Sequence, residues 1–194
     1  MKQLSSILST REHIAALAGP LADLESEVDR IEAWGRELAR VLLGGGRLLA
    51  AGNGGSAAQA QHLVTELVGR YRDDARAPLS AIALCADMAS VTAIGNDYGA
   101  EEAFARQVHA HGRPGDVLVA LSTSGRSPNV VAAVDAAQRC EITTWALTGR
   151  APNALAAAAD DYLAVASDYA PTVQEIHQVV LHLLCAVVDV EAMR

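Results

Sequence analysis

The chain has 194 residues, 51% of them hydrophobic, and a formal net charge of −8. That length suits one domain with a sizeable core, and the acidic excess argues against direct binding to nucleic acid or an anionic membrane. No apolar run is read as reaching the roughly 20 residues that span a bilayer, and Met1-Lys2-Gln3 leads into mixed polar sequence without a signal-peptide core, so a cytoplasmic protein is expected.

Leu4, Ile7, Leu8, Ile14 and Leu17 stand at helical spacing and predict a helix over 1–19 that Gly19-Pro20 breaks. From Leu21 the series Leu24, Val28, Ile31, Trp34, Leu38, Val41 and Leu42 predicts one helix of about six turns, ended by Gly44-Gly45-Gly46. This N-terminal pair, 1–45, precedes the first strand and has little sheet to cover. It either packs against another subunit or caps the core.

Arg47-Leu48-Leu49-Ala50 reads as a buried strand, and Gly52-Asn53-Gly54-Gly55-Ser56 as the turn after it. Glycines permit close backbone approach to a ligand, and Ser56 is the predicted N-cap of the next helix. Strand, glycine turn and helix N-terminus together make an anion site. The turn is no P-loop, because no Gly-Lys-Ser/Thr follows, and it lacks the third glycine of the dinucleotide fingerprint. On that helix His62 and Glu66 share a face at i, i+4. They suit metal binding or proton transfer, although a packed histidine and a solvated glutamate would look the same.

Further on, Ser80–Leu84 predicts a strand, Asp87–Ile94 a short helix closing at Gly95-Asn96-Asp97-Tyr98-Gly99, and 100–111 a helix. Val117–Leu121 is a buried strand that runs into Ser122-Thr123-Ser124-Gly125-Arg126-Ser127, with Pro128 in the first turn of the helix that follows. Strand 143–147, helix 152–159, strand 162–166 and a long apolar helix over 171–190 complete the chain. Strands alternate with helices, so the fold class is α/β with a parallel sheet, and ligands are expected beyond the carboxyl ends of the strands, where both polar turns lie. Four hydroxyls and a glycine in the second turn can surround a phosphate with uncharged donors; an ordinary cap needs one. In the last helix Gln174, His177, Gln178 and His182 interrupt Val and Leu, and buried polar groups there need partners: a substrate, a metal, or a wet groove or interface. Cys85, Cys140 and Cys185, widely spaced in apolar runs, are expected as buried reduced thiols.

Taken together, Gly52-Asn53-Gly54-Gly55-Ser56-Ala57-Ala58, Gln61-His62 with Glu66, Gly95-Asn96-Asp97, Ser122-Thr123-Ser124-Gly125 with Ser127, Leu147-Thr148-Gly149 and Gln174-Glu175-Ile176-His177 with His182 resemble the sugar isomerase (SIS) fold, and within it the phosphoheptose isomerases. The match runs through nearly the whole chain. It implies a single SIS domain over 1–194: a three-layer sandwich with a central five-stranded parallel sheet flanked by helices, plus the N-terminal helical pair. It also implies conversion of D-sedoheptulose 7-phosphate to D-glycero-D-manno-heptose 7-phosphate, one zinc ion per subunit, and a homotetramer with active sites between subunits. By position, His62, Glu66, Gln174 and His182 resemble the metal ligands. Asn53, Gly54, Gly55, Ser56, Glu66, Asn96, Asp97, Ser122, Thr123, Ser124, Ser127 and Gln174 resemble the substrate and phosphate contacts, and Glu66 and His182 the acid–base pair. The alternatives are a non-catalytic SIS tetramer that binds a protein such as a replication initiator, in which positions 66 and 182 tend to hold residues unable to transfer protons, and an isomerase of another sugar phosphate. The second is opened by Pro171, which stands where the family often has an acid. Arg126 also departs from the family's usual small polar residue; it either adds charge to the phosphate turn or is solvated.

Ketose-to-aldose isomerisation needs a base beside C1 and C2 and a stabiliser for the enediolate oxygen. Glu66 is the candidate base and His182 the candidate acid, with zinc polarising the carbonyl. Gln174 and His182 lie eight residues apart, about 12 Å along a straight helix. Gln174 is therefore expected at a frayed helix start, or the two are expected to serve one site from different chains.

Overall fold

The computed structural model describes residues 9–72 and 75–194, so the expected contributions of Leu4, Ile7 and Leu8 lie outside the described residues. α1 (Thr10–Ala16) opens with a reciprocal capping box between Ser9 and Glu12. α2 (Ala18–Asp23) carries Gly19 and Pro20 in its first turn, where a proline lacks nothing because no intrahelical donor is called for. The predicted break is therefore displaced: it falls at Leu17, between α1 and α2, and the expected six-turn helix is divided by a 3-10 turn, Leu24–Glu27, before α3 (Val28–Leu43). Ile14 of α1 is 66% exposed and α1 buries no residue, so among the described residues its apolar side is uncovered.

The sheet contains β1 (Leu48–Gly52), β2 (Ala81–Ala83), β3 (Val117–Ser122), β4 (Thr143–Thr148) and β5 (Asp161–Ala164), all parallel in the order β2-β1-β3-β4-β5. β1 and β3 are buried along their whole length, as strands covered on both faces must be, and their apolar runs reflect it. The chain leaves β1 for β2 on one side and later returns to place β3 on the other. Right-handed crossovers then put α4 (Gly55–Val68) and α7 (Pro128–Arg139) on opposite faces. α3, α4 and α9 (Ala170–Ala192) pack together, as do α6 (Glu102–His111) and α7. The stacked Trp34 and Trp145 rings, 5.0 Å apart, join α3 to β4.

Three expectations need correction. The helix from 87 runs further than read: α5 (Met88–Tyr98) includes Asn96 and Asp97 and stops at Gly99. α9 has 23 residues, and an 18-residue stretch of it has a mean hydropathy of 1.4, long and apolar enough to cross a membrane by length and composition, against the expected absence of any such run. Half of that stretch is buried within the fold, where it serves as a core helix. Cys85 and Cys185 are buried and free as expected, but Cys140, at the end of α7, is only half-buried. The short helix after the fourth strand, α8 (Ala154–Ala158), begins on Asn153.

Candidate active site

The first of the two polar turns follows β1 and the second follows β3. These strands are neighbours at the point where the strand order reverses, so both turns face one crevice. Asn53, Ser56, Ser122, Thr123, Ser124, Ser127 and Gln174 line a cavity of about 140 Å³ there. Ser122 Oγ lies 3.0 Å from Ser127 Oγ and 3.4 Å from Ser124 Oγ, so three hydroxyls converge. Ser127 caps α7 by position without a side-chain bond to the helix, which leaves its hydroxyl and the helix's free N–H groups for an anion. The expected N-cap Ser56 is displaced: Gly54 holds that position, and Ser56 sits buried in the first turn of α4.

The cradle is held by residues that local sequence did not single out. Asn53 and Asn129 exchange two amide hydrogen bonds, of 2.8 and 3.0 Å, and so join the two turns. Asn129 lies one residue past Pro128 at a helix start, where it reads as solvated. Gly125 has φ +60°, and a Cβ there would stand 2.1 Å from the Asn153 carboxamide. Asn153 in turn accepts from Ala156 N–H and donates to Thr148 Oγ1. Arg126 is exposed and lines a neighbouring groove with Arg150 and Asp168, so it is not part of the cradle.

α4 and α9 run alongside each other. Gly55 lies against the Gln174 carboxamide, which a Cβ at Gly55 would meet at 2.3 Å. Gln59 Nε2 donates to Gln174 O at 2.6 Å. Two turns further along, His62 Nε2 is 2.9 Å from His182 Nε2 and 3.4 Å from Glu66 Oε1. Gln178 Nε2 approaches the same His182 nitrogen at 3.1 Å, and Tyr71 stacks on the His182 ring at 5.6 Å. An imidazole nitrogen has one hydrogen-bonding direction, and His182 Nε2 has two neighbours competing for it. Burial and the Glu66 and Asp189 carboxylates push the nearby Cys185 thiol up to about 12, which keeps it a thiol.

Three of the four expected metal ligands, His62, Glu66 and His182, therefore meet. Gln174 does not: α9 is continuous through it, so the frayed-start expectation fails and Gln174 lines the hydroxyl-rich cavity instead. Two imidazoles and a carboxylate are a zinc donor set. The 2.9 Å between the two nitrogens is shorter than the roughly 3.3 Å separating two ligands of a tetrahedral zinc, and among the described residues no three His, Cys, Asp or Glu side chains stand arranged to hold an ion. The donors fit zinc by chemistry, once the rings part by a few tenths of an ångström. Asn96 and Asp97 lie exposed at the end of α5, bonded to each other at 2.9 Å and not lining the cradle. His177, by contrast, is wholly buried, with Nε2 3.2 Å from Thr148 O; burial lowers its pKa to about 4.

Comparison with known proteins gives a consistent picture. The SIS domain family matches residues 12–149. A phosphoheptose isomerase from Streptomyces coelicolor is 59% identical over 177 residues, covering 91% of this chain and 76% of that protein. One from Nitratidesulfovibrio vulgaris is 48% identical, covering 85% and 79%. The solved structure of phosphoheptose isomerase GmhA from Neisseria gonorrhoeae superposes with a TM-score of 0.83 at 38% identity, covering 92% of this chain and 95% of that one. The sugar isomerase domain of an RpiR transcription factor from Sphaerobacter thermophilus, 20% identical with a TM-score of 0.61, shares the fold alone.

Proposed function

Because the chain belongs to the SIS-domain family and, within it, to the phosphoheptose isomerases, we propose that it interconverts D-sedoheptulose 7-phosphate and D-glycero-D-manno-heptose 7-phosphate by enediol proton transfer. It is an intramolecular aldose–ketose isomerase. The observation that carries the reading is the meeting of His62 with both Glu66 and His182 at one end of the α4–α9 seam, while Gln174 joins the hydroxyl cradle at the other. A phosphate gripped by Ser122, Ser124 and Ser127 leaves the open-chain sugar free to run along the seam.

In this reading Glu66 removes a C1 proton and His182 donates a proton to the C2 oxygen, giving the enediol. The O1 proton then leaves and the carbon-bound proton returns at C2, so one hydrogen has moved from C1 to C2 and one from O1 to O2. His62, in contact with both groups, holds them at a common centre. A zinc ion held by His62, Glu66 and His182 would polarise the carbonyl and keep the C1 and C2 oxygens cis. A carboxylate given fully to a metal is a weak base, so Glu66 would act as the base only where the ion left it partly free.

The protomer leaves Asn96, Asp97 and the uncovered side of α1 without a partner at the site, and Gln174 away from the imidazoles. These features favour a homotetramer with active sites completed across subunits and the N-terminal helices in its contacts. A cytoplasmic location belongs to the same proposal. The intact Glu66 and His182 pair speaks against a purely protein-binding role. The test is proton exchange at C1 of sedoheptulose 7-phosphate in heavy water, followed by NMR with and without added zinc; no exchange in either condition rejects the enzyme.

A further inference from the structure

The most deeply buried ion pair among the described residues lies just behind the acid–base pair. Arg76 and Asp189 side chains are 2% and 5% exposed, with Nε 2.8 Å from Oδ1. The guanidinium also donates to Glu66 O at 2.7 Å, and to Leu67 O and Ala77 O at 2.9 Å each. Glu66 and Leu67 are in the last turn of α4, where carbonyls have no helical partner and a cation is favoured by the dipole. Asp189 sits seven residues beyond His182 on α9, two turns along the same face. Its other oxygen, Oδ2, accepts from Arg72 N–H at 2.9 Å, next to Tyr71, whose ring stacks on His182.

We propose that Arg76 and Asp189 form a positioning latch: the pair ties the backbone of Glu66 to the helix that carries His182, and holds Tyr71 against that imidazole, so that the two proton-transfer groups keep a fixed reach. The proposal rests on the reading of Glu66 and His182 as the acid–base pair. Elsewhere along the α4–α9 seam the directed contacts are Gln59 Nε2 to Gln174 O and His62 Nε2 to His182 Nε2, and neither is an ion pair. A buried ion pair adds little net stability over an apolar pair of similar volume. The guanidinium fork, however, has directed donors, four of which are used here, and it fixes register. The sequence offers no local sign of this, because Arg76 stands in a charged stretch with no apolar period to mark it as buried.

The test compares the full-length enzyme with Arg76→Met/Asp189→Leu, which keeps the volume and drops the fork, and with Asp189→Asn, which keeps the shape should the double variant not fold. Melting temperature, elution volume, kcat and KM for sedoheptulose 7-phosphate are measured for each. The expected result is a folded enzyme whose KM stays within about twofold while kcat falls roughly 10- to 100-fold, the effect of an ångström-scale misplacement. A merely structural pair would move the melting temperature and leave kcat alone; wild-type kcat in either folded variant overturns the proposal. Glu66→Gln in the same assay separates the two failures. Turnover there removes the acid–base reading itself, whereas its loss alongside wild-type kcat in the latch variants removes only the latch.

Discussion

His62 and His182, 120 residues apart in sequence, bring their Nε2 atoms within 2.9 Å. The contact joins the second turn of a helix that leaves β1 to the middle of the last helix. With Glu66 3.4 Å from His62, it turns three scattered polar residues into one centre able to share protons.

That centre makes the acid–base assignment testable. Glu66→Gln and His182→Ala are expected to lower kcat by at least about 100-fold, the usual scale for a positioned acid or base. Circular dichroism and the melting temperature should stay close to wild type, since both side chains are only partly buried. Near-full turnover in Glu66→Gln would show that another group abstracts the C1 proton.

The cradle should respond differently. Ser127→Ala removes one hydroxyl from a charged ligand, and such a bond is worth about 1.5–3 kcal/mol. KM is therefore expected to rise at least tenfold with kcat little changed. Gly125→Ala should do more harm, because φ +60° strains an alanine and its Cβ would collide with Asn153. A stability loss of about 1–3 kcal/mol should accompany its weaker phosphate binding, read by urea titration and by isothermal calorimetry with inorganic phosphate.

If zinc is held by the two imidazoles and the carboxylate, adding it to chelator-treated protein should raise the melting temperature. His62→Ala should abolish that rise without touching phosphate binding, because His62 lies away from the cradle. A zinc-induced shift that survives the loss of both His62 and His182 would place the ion elsewhere.

His177 sets an acid limit. The folded chain takes up its proton only near pH 4, whereas the unfolded chain does so near 6.5. Its contribution is thus complete above pH 6.5 and is lost as pH falls from there towards 4, up to roughly 3 kcal/mol. Thermal melts across that window should fall more steeply for wild type than for His177→Gln. Equal slopes would mean that this burial is not what makes the fold acid-sensitive.

Period and punctuation made much of the architecture legible. Apolar runs at 47–50 and 117–121 read directly as buried strands, and the two polar turns after them as lying at the strands' carboxyl ends, because strand burial and glycine chemistry are local properties. The errors also have local causes. Gly19-Pro20 reads as a break, yet a first helical turn tolerates both residues. Asn96 and Asp97 read as a loop, although α5 carries through to a left-handed Gly99. Asn129, Asn153 and Arg76 gave no sign, since each looks like an ordinary cap or surface charge until its distant partner is known.

The sequence by itself determined the fold class, the uncharged phosphate turn and the residue types needed for proton transfer, because these depend on neighbours along the chain. Only the tertiary structure decided that His62 and Glu66 share a centre with His182 while Gln174 joins the cradle. That sorting depends on two helices lying side by side over the sheet in one register, which the spacing of no single segment encodes.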